Sequence, residues 1–168
     1  MRGNNLITIA RQHGSGGRKI GEKLAAKLGY QFYDNNLITM SASKLGIEEE
    51  RLMKADEAVP NSILYTLALG STMVSGISTP IIEPINDKLF TVQSEIIREL
   101  SNRESAVFVG RCSDYVLDKN PNVIKVFIYA DFEQRVKNIM DSTGISESEA
   151  KNKVVKVDKN RANYYNFY

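Results

Sequence analysis

The glycines and basic residues between Arg11 and Lys19 are the part of this chain best suited to chemistry. Gly14-Ser-Gly-Gly17 follows Arg11 and His13 and is followed directly by Arg18 and Lys19. Glycine has no Cβ, so such a loop can wrap closely around an anion. A helix opening directly after it presents free N–H groups and the positive end of its dipole. Gly14, Ser15, Gly16, Gly17, Arg18 and Lys19 are therefore the expected phosphate cradle, the alternative being a tight turn with solvent-exposed basic residues. The spacing departs from the nucleotide-phosphate motif G-x-x-x-x-G-K-S/T. With Gly16 on the second glycine, Gly17 stands at the lysine and Arg18 at the hydroxyl position. Arg18 or Lys19 is left to supply the cation, and Ser15 is the nearest replacement hydroxyl.

A second candidate is Arg111, just past the apolar run Ser105-Ala-Val-Phe-Val109. Ligands of open α/β sheets collect outside the carboxyl ends of strands, and a guanidinium fork suits bidentate phosphate binding. The competing reading is an ordinary surface arginine. His13, the only histidine, titrates near neutral pH. It lacks clustered metal-ligating partners, so phosphate hydrogen bonding or loop packing is expected of it. Cys112, the single cysteine, has no well-placed base and is not expected to act as a nucleophile. Arg135 reads as part of a solvated basic helix face.

These residues need a scaffold, and the periodicities supply one. Leu6-Ile-Thr-Ile-Ala10 is a short strand. Ile20, Leu24, Ala25 and Leu28 then recur at helical spacing up to Gly29, a C-cap. Gln31-Phe-Tyr33 predicts a second strand, and Asp34 an N-cap for a helix carrying Leu37, Ile38 and Met40. Glu48–Glu57 reads as an exposed helix, and Asp87–Asn102 as an amphipathic one. Residues 105–109 and 122–130 predict strands buried on both sides. Asp131 is expected to cap a helix with Phe132, Val136, Ile139 and Met140 inside, and Ser146-x-x-Glu149 to open a last helix toward Arg161. Strands alternating with helices, without hairpins, call for an open parallel α/β sheet.

The 168 residues carry 22 Lys plus Arg against 20 Asp plus Glu, a formal charge of +2. That near balance gives no general attraction to duplex DNA or an anionic membrane, so neither is expected as a partner. Residues 58–82 hold no charged side chain, yet Ser, Thr, Asn and Gly interrupt them too often for a membrane-spanning helix. They are expected to form an apolar flap or subunit contact, or a cover over substrate. The lone cysteine and the absence of a secretory pattern at the start of the sequence fit a cytoplasmic location.

Ile7-Thr-Ile-Ala-Arg-Gln-His-Gly-Ser-Gly-Gly-Arg-Lys-Ile-Gly21 with Lys27-Leu-Gly-Tyr-Gln-Phe-Tyr-Asp34 resembles the cytidylate kinase-like family, as do Val107-Phe-Val-Gly-Arg-Cys-Ser-Asp-Tyr115 and Asp158-Lys-Asn-Arg-Ala-Asn-Tyr-Tyr165. The resemblance spans nearly the whole chain in order, with residues 45–85 alike only in general character. It implies one domain, residues 1–168, with the three-layer P-loop NTPase-like α/β fold: a parallel sheet with helices on both faces. Residues 34–86 would be a helical monophosphate-binding and flap insertion, and residues 145–168 a lid-like helix. Relatives continue with another strand and helix, so a truncated chain or a sheet one strand short is expected.

The same resemblance implies a phosphotransferase moving the γ-phosphoryl of ATP, with Mg²⁺, to a CMP-like nucleoside monophosphate or a similar small acceptor. Gly14 to Lys19, with His13, would hold the donor. Asp34 and Arg111 would bind the acceptor, and Arg18, Lys19, Lys159 and Arg161 would screen the transferring group. Cys112 stands where cytidylate kinases carry an aspartate that helps read cytosine. The second expectation is a catalytically impaired nucleotide- or anion-binding module with a regulatory or interaction role. The third is an interaction domain that forms homo-oligomers through residues 58–82.

Overall fold

The computed structural model describes residues 3–48, 50 and 85–168. Strands β1 (Leu6–Arg11), β2 (Gln31–Tyr33), β3 (Ala106–Val109) and β4 (Val123–Ile128) form one parallel sheet in the order β2-β3-β1-β4. Leu6 pairs with both Ala106 and Val123, and Gln31 with Ala106, so the four strands run level. Their carboxyl ends therefore finish along one edge of the sheet. After β1 the chain crosses to one side for β2, fills the gap with β3, and later takes the other side for β4. Such a reversal opens a crevice at the strand ends.

The helices are α1 (Gly17–Leu28), α2 (Asn36–Leu45), α3 (Ile85–Arg103), α4 (Ser113–Val116), α5 (Phe132–Thr143) and α6 (Glu147–Phe167). Alternation along the strands divides the core into two layers. Leu6, Ala106 and Phe108 pack against Leu37 of α2 and Ile96, Ile97 and Leu100 of α3. Ile7, Ile9, Val107 and Val109 face the opposite way and pack against Ala25 of α1. Both faces of β3 are covered, which is why its sequence is an unbroken apolar run. Helices α5 and α6 share a separate small core of Val136, Ile139, Ala150 and Val154.

Local signals hold where they are self-contained. Gly29 ends α1 in the left-handed region, at φ 68°. Ser146 and Glu149 form the expected reciprocal capping box at the start of α6, which runs on past Arg161 to Phe167. Three expectations are corrected. Residues 123–128 are not buried on both sides: Ile124 is 63% and Phe127 60% exposed, because β4 is the outermost strand among the described residues. Asp34 does not cap α2; Asn35 occupies that position, and the Asp34 carboxylate turns toward arginines instead. Asp131 stands at the N-cap of α5, but its side chain makes no capping bond. The helix expected over residues 48–57, the stretch 58–82 and most of the 34–86 insertion lie outside the described residues. Among the described residues no helix is long and apolar enough to cross a membrane.

Candidate functional site

The loop after β1 is shaped by what lies beneath it. Gly14 has φ 79°, and a Cβ there would stand 2.6 Å from the Arg135 carbonyl oxygen of α5, so only glycine fits on both counts. Gly16 precedes α1 at φ 80° with no side-chain cap, which leaves the first-turn N–H groups of the helix open to an anion. The Ser15 hydroxyl donates to the Gln12 carbonyl at 2.8 Å.

Two later helices fix the loop's main chain. Asn138 Nδ2 donates to the Gly14 carbonyl at 2.8 Å, and Arg135 Nη1 to the His13 carbonyl at 3.3 Å. The His13 N–H donates to Asp158 Oδ1 at 2.7 Å, while Asp158 Oδ2 pairs with Arg135. From the next turn of α6, Arg161 Nη1 donates to the Arg11 carbonyl at 3.1 Å. The backbone of this loop thus arrives preset by side chains, which lowers the entropy cost of ordering it around any ligand.

Above the strand ends, arginines gather around one carboxylate. Asp34 is only 3% exposed, just beyond β2. Arg18 Nε lies 3.0 Å from its Oδ2, and Arg11 Nη2 lies 3.6 Å from its Oδ1. The second distance is an ion pair without a hydrogen bond, and Oδ1 accepts none among the described residues. Arg111 and Arg161 are within electrostatic reach of both Asp34 and Arg11. Burial is the main influence on three of these guanidiniums. It lowers Arg11 and Arg111 from their ordinary values and, with Arg11 nearby, brings Arg161 down to about 10. All three still carry charge at neutral pH, at the cost of lost hydration.

Arg111 and Cys112 follow β3 with φ 60° and 50°, in the left-handed region that side-chain-bearing residues rarely adopt. Strain of this kind concentrates where a chain must aim a side chain at a ligand. Burial, helped by Asp114, pushes the Cys112 thiol up to about 12, so it is neutral and inert at physiological pH. Burial likewise takes His13 down to about 4, with Arg161 and Lys153 adding to the effect. Its imidazole is uncharged at neutral pH, and its buried Nε2 has no hydrogen-bond partner among the described residues.

The structure therefore brings together Gly14, Ser15, Gly16, Gly17, Arg18, Asp34, Arg111 and Arg161, with His13 beneath the loop. Lys19 and Lys159 stand exposed and engage no partner among the described residues. Sequence reasoning missed Arg135, Asn138 and Asp158. Arg135 is not on a solvated face but 7% exposed, held by Asp158 and by the His13 and Ala130 carbonyls. Its one available signal was the acid at position 158, three residues before Arg161 and so on the same face of the helix.

The profile of the cytidylate kinase-like family matches residues 6–168. A crystal structure of an uncharacterized protein from Eubacterium ventriosum is similar, with TM-score 0.69 and 28% identity over 98% of this chain and 78% of that one. TT1252 from Thermus thermophilus shares the fold at TM-score 0.52, with 20% identity over 89% of this chain and 78% of that one. No curated protein matches the chain. With the family profile covering all four strands and the whole loop, the chain belongs to the cytidylate kinase-like family, a kinase-like group of nucleotide-binding proteins.

Proposed function

We propose that this chain is a phosphotransferase that moves the γ-phosphoryl group of ATP to a CMP-like nucleoside monophosphate or a similar small acceptor. The observation that carries the reading is the gathering of Arg11, Arg18, Arg111 and Arg161 around the buried carboxylate of Asp34, beside the uncapped start of α1. Burial has stripped water from Arg11, Arg111 and Arg161, which lie within electrostatic reach of one another. A polyanion offsets the desolvation these groups already suffer.

In this reading the N–H groups of residues 14–19 cradle the donor's phosphates, with Lys19 and Arg18 at the first helical turn. Asp34 and Arg111 position the acceptor, Asp34 by fixing the guanidinium of Arg18. Arg161 spreads the charge that develops on the transferring group, while Lys159, two positions earlier and exposed, lies off that face of α6. Such transfers ask a protein mainly for in-line alignment and cations at the equatorial oxygens. Among the described residues no three metal-ligating side chains cluster. Ser15 is the residue that would hold Mg²⁺, since its hydroxyl hydrogen goes to Gln12 and its oxygen keeps lone pairs for a cation. The ion would neutralise phosphate charge, most of its ligands being phosphate oxygens and water.

Cys112, a neutral thiol, cannot supply the charged contact expected for reading cytosine, so base choice is expected to be loose. A second reading, a nucleotide-binding module without turnover, is favoured by Gly17 and Arg18 standing at the motif's lysine and hydroxyl positions. Incubating the protein with MgATP and nucleoside monophosphates of all four bases, then following diphosphates by phosphorus NMR, separates the two. Diphosphate production supports transfer. Saturable ATP binding with no product across the panel supports the second reading and defeats the first.

A further inference from the structure

The motif register carries a consequence for Arg11. With Gly16 on the second glycine, position 11 is where the motif carries its first glycine and position 17 where it carries its lysine. This chain has arginine at the former and glycine at the latter, so a cation and a glycine have changed places across the loop. The side-chain geometry follows that exchange. A Cβ placed on Gly17 would stand 2.7 Å from Arg11 Cβ and 3.0 Å from its Cγ. A Cβ on Gly110, past the end of β3, would stand 2.8 Å from Arg11 Cζ. The arginine stem therefore runs through the space a side chain at position 17 would enter. Its guanidinium lies against the backbone at Gly110, between the ends of β1 and β3.

The guanidinium is also free of hydrogen bonds among the described residues. Its one ion-pair partner among the described residues is Asp34, with Oδ1 at 3.6 Å, beyond hydrogen-bond distance. Its side chain is 18% exposed, which leaves N–H donors open toward the crevice. Its own carbonyl, meanwhile, accepts from Arg161, so the residue is anchored at its main chain and open at its tip.

We propose that Arg11 substitutes for the missing loop lysine, its guanidinium reaching the phosphate oxygens from β1 while Gly17 and Gly110 keep the path clear. This rests on the phosphotransferase reading and names a further residue that touches the reacting groups. A planar fork can bind two oxygens where lysine offers a point charge, so the replacement changes geometry as well as position.

The test moves the cation. MgATP binding is measured by calorimetry, and turnover on the best acceptor, for the wild type, Arg11→Met, Arg11→Lys, Arg11→Gly, Gly17→Lys and the double variant Arg11→Gly/Gly17→Lys. Circular dichroism checks that each is folded. Arg11→Met and Arg11→Gly are expected to lose on the order of 100-fold in kcat. Arg11→Lys is expected to retain part of it, about tenfold above Arg11→Met. Gly17→Lys alone meets the Arg11 stem and is expected to bind worse than wild type. The double variant removes that collision and restores a cation from the other side, so it should exceed Arg11→Gly by about tenfold in affinity. Unchanged binding and turnover in Arg11→Met overturns the proposal, as does a double variant no better than Arg11→Gly. Should Arg11→Met fail to fold, an Arg11→Lys variant indistinguishable from wild type overturns it. A wild type that binds no MgATP defeats the phosphotransferase reading itself, a result separate from all of these.

Discussion

Arg135 shows how much of this site rests on residues that need not touch a ligand. One guanidinium holds the His13 and Ala130 carbonyls and pairs with Asp158, which in turn holds the His13 N–H. Truncating it strips a buried network of its centre and leaves Asp158 facing the loop unpaired. Losing one partner of a buried pair costs roughly 3–5 kcal/mol. Asp158 is 26% exposed, so water can recover part of that, and Arg135→Ala should cost about 2 kcal/mol. Urea denaturation with an unchanged slope and a lowered midpoint is the expected result; an unchanged midpoint would mean the network contributes nothing to folding. This residue was not legible in the sequence. Its burial comes from Asp158, 23 positions later, and from His13, 122 positions earlier. Neither separation leaves a local pattern. Gly14 and Arg111 were legible because a turn and a strand end are written in adjacent residues. Asp34 was singled out through family resemblance, and misread as a cap because its competing partners, Arg11 and Arg18, come from other elements.

At the scale of elements, α6 ties the site together. Its middle holds the loop after β1 through Asp158 and Arg161. Its end is fastened by the Tyr165 hydroxyl donating to Asp114 at 3.0 Å and the Tyr168 hydroxyl to Asp87 at 2.8 Å, with Tyr168 stacked on Phe90 of α3. The helix was foreseeable from its capping box, but its docking was not, since aromatic residues give no hint of which helix they meet. This contact makes the loop sensitive to acid. Burial, with Arg161 and Lys153 adding, holds His13 near 4 in the folded protein against 6.5 ordinarily. Between those values the unfolded chain binds a proton that the folded loop does not, so stability falls as pH drops through that window. Melting temperatures at pH 7 and pH 5 should differ, and His13→Gln should narrow the difference. An equal gap in both proteins would remove the imidazole as its cause.

Across the whole molecule, the balanced charge of +2 conceals a separation: the basic groups that matter converge on the carboxyl ends of the strands. The sheet was the most legible feature, since alternation and crossovers leave few arrangements open. Its limits were less so, because an apolar run reads alike in the middle of a sheet and at its margin. Beyond β4 that difference has a cost. The outward amides and carbonyls of Val123–Ile128 meet no further strand among the described residues, and Ile124, Phe127 and Tyr129 lie beside them in water. Lys125, paired with Asp118, is the only charged side chain on that strand, a thin guard against foreign strands adding on. At high concentration the protein should scatter light progressively, and a charge at Phe127, as in Phe127→Lys, should suppress it while leaving nucleotide binding intact. If clouding persists unchanged, the stickiness resides on another surface.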